Sequence, residues 1–276
     1  MGILFGGLTS VLYGVADFLG GEGAKRASAA SVVVWAGVVS FPLITAVALI
    51  SGGEANSSDY LLGAGAGSAG AIGLVFLFAG LASGRAAAVA PSAGAVAGVF
   101  PVLIAVVGGE RPSVVAWVGV ALAIPAILLC SWVTTRGDIG WGGVGYGIVA
   151  GLGFGGYAIV INQTSEASGL LPLIPARAST MLVVLVLSLF GAWKVGPWAS
   201  IPGLIVLGNG LLDVGGNVTL LLGLRSGTLA LVAVASSLYP AVTVVMARYV
   251  NHESLTRRQV SGVVLSVVAI AAIALG

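Results

Sequence analysis

Long apolar segments alternate with short polar or Gly/Pro-rich breaks along almost the whole chain. Segments of this length match membrane-spanning α-helices, which need about 20 predominantly apolar residues. Strands are not expected, because a membrane strand alternates apolar and polar residues whereas these segments are continuously apolar. The pattern therefore predicts an all-α integral membrane fold with ten transmembrane helices, at residues 3–20, 31–51, 60–82, 86–107, 113–133, 142–162, 171–193, 201–223, 229–250 and 259–275.

The second half of the chain repeats the first. Residues 61–84 align with residues 204–227 at an offset of 143, and ten of the 24 aligned positions are identical. We divide the chain into a first five-helix repeat, 1–137, and a second, 138–276. Because five is an odd number, the second repeat must enter the bilayer upside down, so the two form an inverted repeat. Duplicated halves of this kind are typical of transporters, with a site near the midplane between them.

Composition agrees with a membrane environment. Only 7% of the residues are charged and 58% are hydrophobic, whereas a soluble domain carries about 25% charged residues. The lipid bilayer is therefore an expected partner. The net charge of +2 is small and scattered, which argues against a nucleic-acid partner.

The basic residues near helix ends predict an orientation. Basic residues are enriched on the cytoplasmic side of membrane proteins. Three arginines flank the face that carries both termini: Arg111, Arg177 and Arg225. Eight basic residues flank the opposite face: Lys25, Arg26, Arg85, Arg136, Lys194, Arg248, Arg257 and Arg258. This bias predicts a multi-pass protein of the inner cell membrane with both termini outside the cytoplasm.

Asp213 falls near the centre of the predicted helix 201–223. An Asp at this depth costs about 2.5–3.5 kcal/mol on insertion scales, so it needs partners or a water-filled cavity. Asn209 and Asn217 lie four residues before and after it, on the same helix face. One interpretation is functional: Asp213 contacts the ammonium of a substrate or takes up and releases a proton. The alternative is that this face forms a buried polar lock between helices. In the repeat alignment, the position of the first half that is equivalent to Asp213 is Gly70, so the polar face is not repeated there.

Two further charged residues lie within predicted helices. Arg177 is about two turns into its helix, where it either extends to the nearer interface or pairs with a carboxylate, that of Asp213 or of a substrate. Asp17 lies near the predicted end of the first helix. We expect it at the interface, paired with Lys25 or Arg26.

Aromatic side chains inside the helices are further candidates for a binding cavity. Tyr13 and Tyr157 are equivalent in the repeat alignment, and Tyr239, Phe76 and Trp35 also lie within predicted helices. The alternative for each is packing or lipid contact.

Three prolines inside predicted helices are candidate hinges. Each proline removes a backbone donor and bends its helix. The bend at Pro91, Pro101 and Pro240 is either a static kink or a hinge that lets part of one half move.

One segment carries a family resemblance. Residues 237–240 (SLYP), followed by Glu253 and Gly262, resemble the EamA branch of the drug/metabolite transporter superfamily, in which a helix with a mid-span proline ends in a glutamate hairpin. The first half has Glu110 at the hairpin and Ala97 at the position expected for proline. The resemblance implies ten helices in two inverted sets, and is strongest to the YddG-like amino-acid exporters. Both glutamates are expected to be structural, by capping or by pairing with nearby arginines.

Together these features favour a secondary transporter of small metabolites that works by alternating access. Amino acids, aromatic ones first, are the preferred substrates, and cationic drugs or other metabolites are the alternative. A channel or structural membrane protein is a further alternative. An enzyme is not expected, since His252 is the only histidine and no GxSxG or HExxH pattern occurs. No cofactor or metal is expected, proton coupling stays open, and a monomer is compatible with the pattern.

Overall fold

The apolar segments form helices, since a backbone inside lipid must satisfy its hydrogen bonds within the segment. A computed structural model describes residues 1–83, 86–130, 141–191, 194–250 and 256–275. In these ranges the α-helices are α1 (Gly2–Ala24), α2 (Ala29–Ser51), α3 (Ser57–Ala82), α4 (Ala86–Val107), α5 (Val114–Cys130), α6 (Trp141–Ile161), α7 (Leu173–Leu189), α8 (Gly203–Ser226), α9 (Leu229–Ser236), α10 (Tyr239–Val250) and α11 (Arg257–Leu275).

Helices of sufficient length and apolar character to cross a bilayer recur along the chain. Among the described residues, six qualify: α1, α2, α3, most of α6, α8 and the stretch formed by α9 and α10. Three shorter apolar helices lie in α4, α5 and α7. The described residues contain no strand, so the all-α prediction is confirmed for them.

The predicted helix 229–250 is divided into two. Its first part ends at Ser236, a turn follows at Ser237 and Leu238, and the helix restarts at Tyr239. The placement of Pro240 inside a continuous helix was therefore wrong. Its missing N–H cannot bond the Ser236 carbonyl, and its ring clashes with that group, so the break falls directly before it. Proline is well tolerated in the first turn of the new helix.

The other two candidate hinges lie within one helix. Pro91 and Pro101 both belong to α4, which continues through each of them. The role of all three prolines as hinges stays a prediction.

Helices pack mainly across the two halves of the chain. The pairs are reciprocal: α1 packs on α8 as α6 packs on α3, and α2 packs on α8 as α7 packs on α3. In the same way α4 packs on α6 and α9 on α1, while α5 packs on α11. A two-fold exchange of the halves would produce this pattern. The inverted repeat itself and its boundary between residues 137 and 138 remain predictions.

The contact between α3 and α7 depends on the absence of side chains at two glycines. A Cβ added at Gly63 would collide with the Pro172 carbonyl oxygen, and one at Gly67 with that of Ala176. The close approach lets the Thr180 hydroxyl donate to the Gly67 carbonyl at 2.9 Å. Small residues at such spacing allow helices to associate in lipid, where there is no hydrophobic drive between them.

We expect Gly67→Ala to lower the thermal stability of the detergent-purified protein, by about 1–3 kcal/mol, because overpacking forces α7 away from α3. Gly7→Ala is the matched control, since nothing lies within 4 Å of its added Cβ. A thermal-shift assay on both variants tests this. Equal melting temperatures for the two would contradict the packing argument.

Candidate functional site

A cavity of about 100 Å³ lies where helices of both halves meet. Its wall comes from α1, α2, α3, α4, α6, α7, α8, α9 and the first residue of α10. Two clusters of buried apolar side chains contribute to it, Val33 and Phe78 from one and Ala158 and Leu220 from the other. The structure brings seven of the predicted site residues into this lining: Tyr13, Tyr157, Arg177, Asn209, Asp213, Asn217 and Tyr239.

Two predicted site residues lie elsewhere. The indole nitrogen of Trp35 donates to the Gly196 carbonyl at 2.9 Å, and its ring packs edge-on against Trp198 at a centroid distance of 5.5 Å. The ring of Phe76 packs against Tyr146 at 5.9 Å. Neither side chain belongs to the cavity lining. Their position inside predicted helices is therefore not enough to place them in the site.

An ion pair between α7 and α8 crosses the site. One terminal guanidinium nitrogen of Arg177 lies 2.7 Å from a carboxylate oxygen of Asp213. The Arg177 Nε also donates to the Ser40 hydroxyl of α2. Both ionised side chains are largely buried, with 8% and 14% of their side-chain surface exposed. Of the two alternatives for Arg177, the structure therefore shows pairing with a carboxylate rather than extension to the interface.

The two asparagines flanking Asp213 bond to backbone groups. Asn209 Nδ2 donates to the Ala16 carbonyl at 2.6 Å and so ties α8 to α1. Asn217 Nδ2 donates to the Asp213 carbonyl at 2.8 Å within α8. The polar face of α8 therefore combines a lock between helices with side chains that reach the cavity.

Asp17 also lines the cavity, and its expected place at the interface was wrong. Its side chain is buried, with 8% of the residue exposed. Lys25, its expected partner, pairs with Glu22 at 2.5 Å instead. The reason is the length of α1. The helix continues past the predicted end to Ala24, so Asp17 lies about 10 Å inside it.

Hydroxyl groups in the wall were also missed. Thr180 faces the cavity from α7, and Ser236 and Ser237 face it from the break between α9 and α10. Serine and threonine are common in membrane helices, so nothing in the pattern of residues distinguishes these three from the others. The Tyr239 hydroxyl at the same break is buried and has no hydrogen-bond partner among the described residues.

On the face that carries the N-terminus, Glu110 links the two halves of the chain. Its carboxylate accepts hydrogen bonds from the backbone N–H groups of Leu229, at 2.9 Å, and Ala230, at 3.1 Å. Glu110 therefore caps the N-terminus of α9. A negative charge is stabilised at this position because the helix dipole is positive at its N-terminal end. The predicted capping role is observed for this glutamate. Glu253 lies outside the described residues.

A second set of contacts holds the loop after α6 on the same face. Asp59 accepts from the Ser165 N–H at 2.7 Å and from its hydroxyl at 2.9 Å. Arg225 donates to the carbonyls of Glu166, at 2.8 Å, and Ser165, at 3.0 Å. These contacts tie the loop after α6 to the start of α3 and the end of α8 on this face.

A cavity lined by ionisable side chains within a bundle of apolar helices is the arrangement of a membrane protein that handles small polar solutes. Residues 141–275 match the model of the EamA-like transporter family. The match covers just under half of the chain and supports a relation to the EamA branch of the drug/metabolite transporter superfamily, whose members are transporters. With the apolar helices, it points to an integral membrane protein.

Known structures agree on the fold. One crystal structure of a protein aligns over 97% of this chain and 98% of its own, with a TM-score of 0.69 and 16% sequence identity. At this identity the likeness concerns the fold alone. No curated protein matches the sequence.

The ion pair between Arg177 and Asp213 leads us to expect a specific pattern in the unfolding free energies of single and double variants. Arg177→Gln alone leaves the Asp213 carboxylate buried without its partner, which should cost about 3–5 kcal/mol. Asp213→Asn should cost a similar amount. The double variant Arg177→Gln/Asp213→Asn removes both charges and should recover most of the loss, as measured by thermal unfolding in detergent. A double variant less stable than either single change would show that the two side chains do not act as a pair.

Proposed function

We propose that this protein is a secondary transporter that moves small metabolites across the inner membrane by alternating access, with amino acids, aromatic ones first, as substrates. The observation that carries the proposal is the buried cavity between the two halves, with Arg177, Asp213 and Asp17 in its wall. Ionisable side chains inside a membrane are costly and mark solute pathways.

The chemistry of the wall supports a zwitterionic solute with an apolar side chain. Both signs of charge are present, which suits an ammonium and a carboxylate on one molecule. Tyr13, Tyr157, Phe78 and Phe154 contribute aromatic surface to the same wall. Aromatic rings pack well on one another beyond the area they bury.

The fold offers a means of alternating access. The break at Ser237 and Leu238 interrupts a membrane stretch at the cavity, as in transporters whose binding sites are formed by discontinuous helices. The polar contacts of Glu110, Asp59 and Arg225 close the face of the termini and must separate for a solute to pass there. Pro91 and Pro101 in α4, together with Pro240 next to the break, are the candidate hinges.

Two alternatives share this cavity. An exporter of cationic drugs or other metabolites would use the same acidic groups without needing Arg177. A channel would conduct without saturating. The resemblance to YddG-like exporters favours amino acids, and it is the reason that they are tested first.

Uptake by proteoliposomes tests the proposal. We expect saturable uptake of radiolabelled phenylalanine, tyrosine or tryptophan that empty liposomes do not show. The exposed Glu54→Gln variant is the control and should transport normally, whereas Arg177→Gln/Asp213→Asn should lose most uptake because the ion pair in the cavity wall is gone. Adding an ionophore that collapses an imposed pH gradient reports whether protons are coupled.

Absence of flux for every amino acid would contradict the substrate class. Uptake of ethidium under the same conditions would then favour the drug exporter. Uptake that rises linearly with solute concentration would favour a channel.

A further inference from the structure

We infer that Asp17 and the Tyr239 hydroxyl form a subsite for a protonated amine, so that the solute must carry a cationic nitrogen. This inference deepens the proposed transport function and rests on it. It assigns the ammonium to α1 and α10 rather than to Asp213.

Both groups are buried and free to bind. Asp17 is 8% exposed and Tyr239 is 6% exposed, and both line the cavity. Within the described ranges, no hydrogen bond or ion pair holds the Asp17 carboxylate, and the Tyr239 hydroxyl has no partner. Buried polar groups are nearly always satisfied, so a Tyr239 hydroxyl without a partner, in the same cavity wall as the Asp17 carboxylate, indicates a missing ligand.

The charges in the wall do not balance. Asp213 is neutralised by Arg177 at 2.7 Å, which leaves it poorly placed to receive an ammonium. Arg177 is the one basic residue in the described lining, so an ionised Asp17 leaves a net charge of −1. An isolated buried carboxylate costs several kcal/mol, and a cationic solute offsets this cost.

The packing of α1 on α10 brings together the backbone segments that carry the two groups. A Cβ at Gly14 would lie 2.7 Å from the Tyr239 carbonyl oxygen, so the helices touch there. Thr243 confirms the contact by donating to the Gly14 carbonyl at 3.0 Å. Asp17 is three residues beyond Gly14 and therefore lies on the same face of α1.

The donors of an amine fit these acceptors. An ammonium has three N–H donors in a tetrahedral arrangement, which two carboxylate oxygens and one phenolic oxygen can accept. Charge-assisted bonds of this kind are roughly twice as strong as neutral ones. A solute with only a carboxylate would be repelled by the same group.

Binding of three matched probes tests the inference: 2-phenylethylamine (cationic), 2-phenylethanol (neutral) and 3-phenylpropionate (anionic). Each is titrated into the full-length protein in detergent by calorimetry, with empty micelles subtracted. We expect the amine to bind at least about tenfold more tightly than the alcohol, the value of one charge-assisted bond, and the anion to bind most weakly.

Asp17→Asn should abolish the preference for the amine, whereas Asp17→Glu should keep part of it because the charge remains. Tyr239→Phe removes only the hydroxyl and should weaken amine binding by a smaller factor, which also tests the subsite if Asp17→Asn fails to fold. Glu54→Gln is the matched control, a carboxylate-to-amide change on an exposed loop residue that should leave all three affinities unchanged.

Equal affinity of the wild type for amine and alcohol would overturn the inference, as would an unchanged amine preference in Asp17→Asn and Tyr239→Phe. These results are separable from the transport test. If the amine binds through Asp17 but no amino acid is transported, the subsite stands and the amino-acid proposal fails. If amino acids are transported but Asp17→Asn keeps the preference, the transport proposal stands and the subsite fails.

Discussion

The ion pair between Arg177 and Asp213 is the interaction on which the interior of this protein depends. Neither charge could remain at this depth alone, since an ionised side chain in hydrocarbon requires a partner or water. A well-packed apolar pair would hold two helices at least as firmly as an ion pair does. The presence of charges is therefore better explained by the solute-binding role proposed for the cavity than by stability alone. Among the described residues that line the cavity, Asp17 is the acidic side chain left without a basic partner, because the Arg177 guanidinium lies against Asp213.

Close helix packing brings these charges together. The halves touch each other more than they touch themselves, through pairs such as α1 on α8 and α3 on α7. Gly63 and Gly67 let the backbone of α7 approach α3, and this approach positions the helix that carries Arg177. On the other side, Asn209 holds α8 to α1 next to Asp17 through the Ala16 carbonyl. The glycines in the helices thus contribute to the polar site, because they allow the close helix contacts that position its charged side chains.

Much of this arrangement could be predicted from the sequence, and the rest could not for physical reasons. Hydropathy gave the helices because membrane backbones have few alternatives, and depth along the helix identified Asp213 and Arg177. Depth does not identify Asp17, because the glycine and polar residues after Gly20 predict a helix end there, whereas α1 runs to Ala24. It also did not decide between the partners of Arg177, since pairing depends on how α7 and α8 approach each other.

The most direct test of alternating access through this cavity is cysteine labelling from the two sides of the membrane. The chain has one cysteine, so Cys130→Ser gives a background in which Ser236→Cys places a thiol in the cavity wall. Glu54→Cys on an exposed loop serves as a control for sidedness and should react from one side alone. If access to the cavity alternates, a membrane-impermeant maleimide labels Ser236→Cys both in intact cells and in inverted vesicles. Labelling from one side only would contradict it.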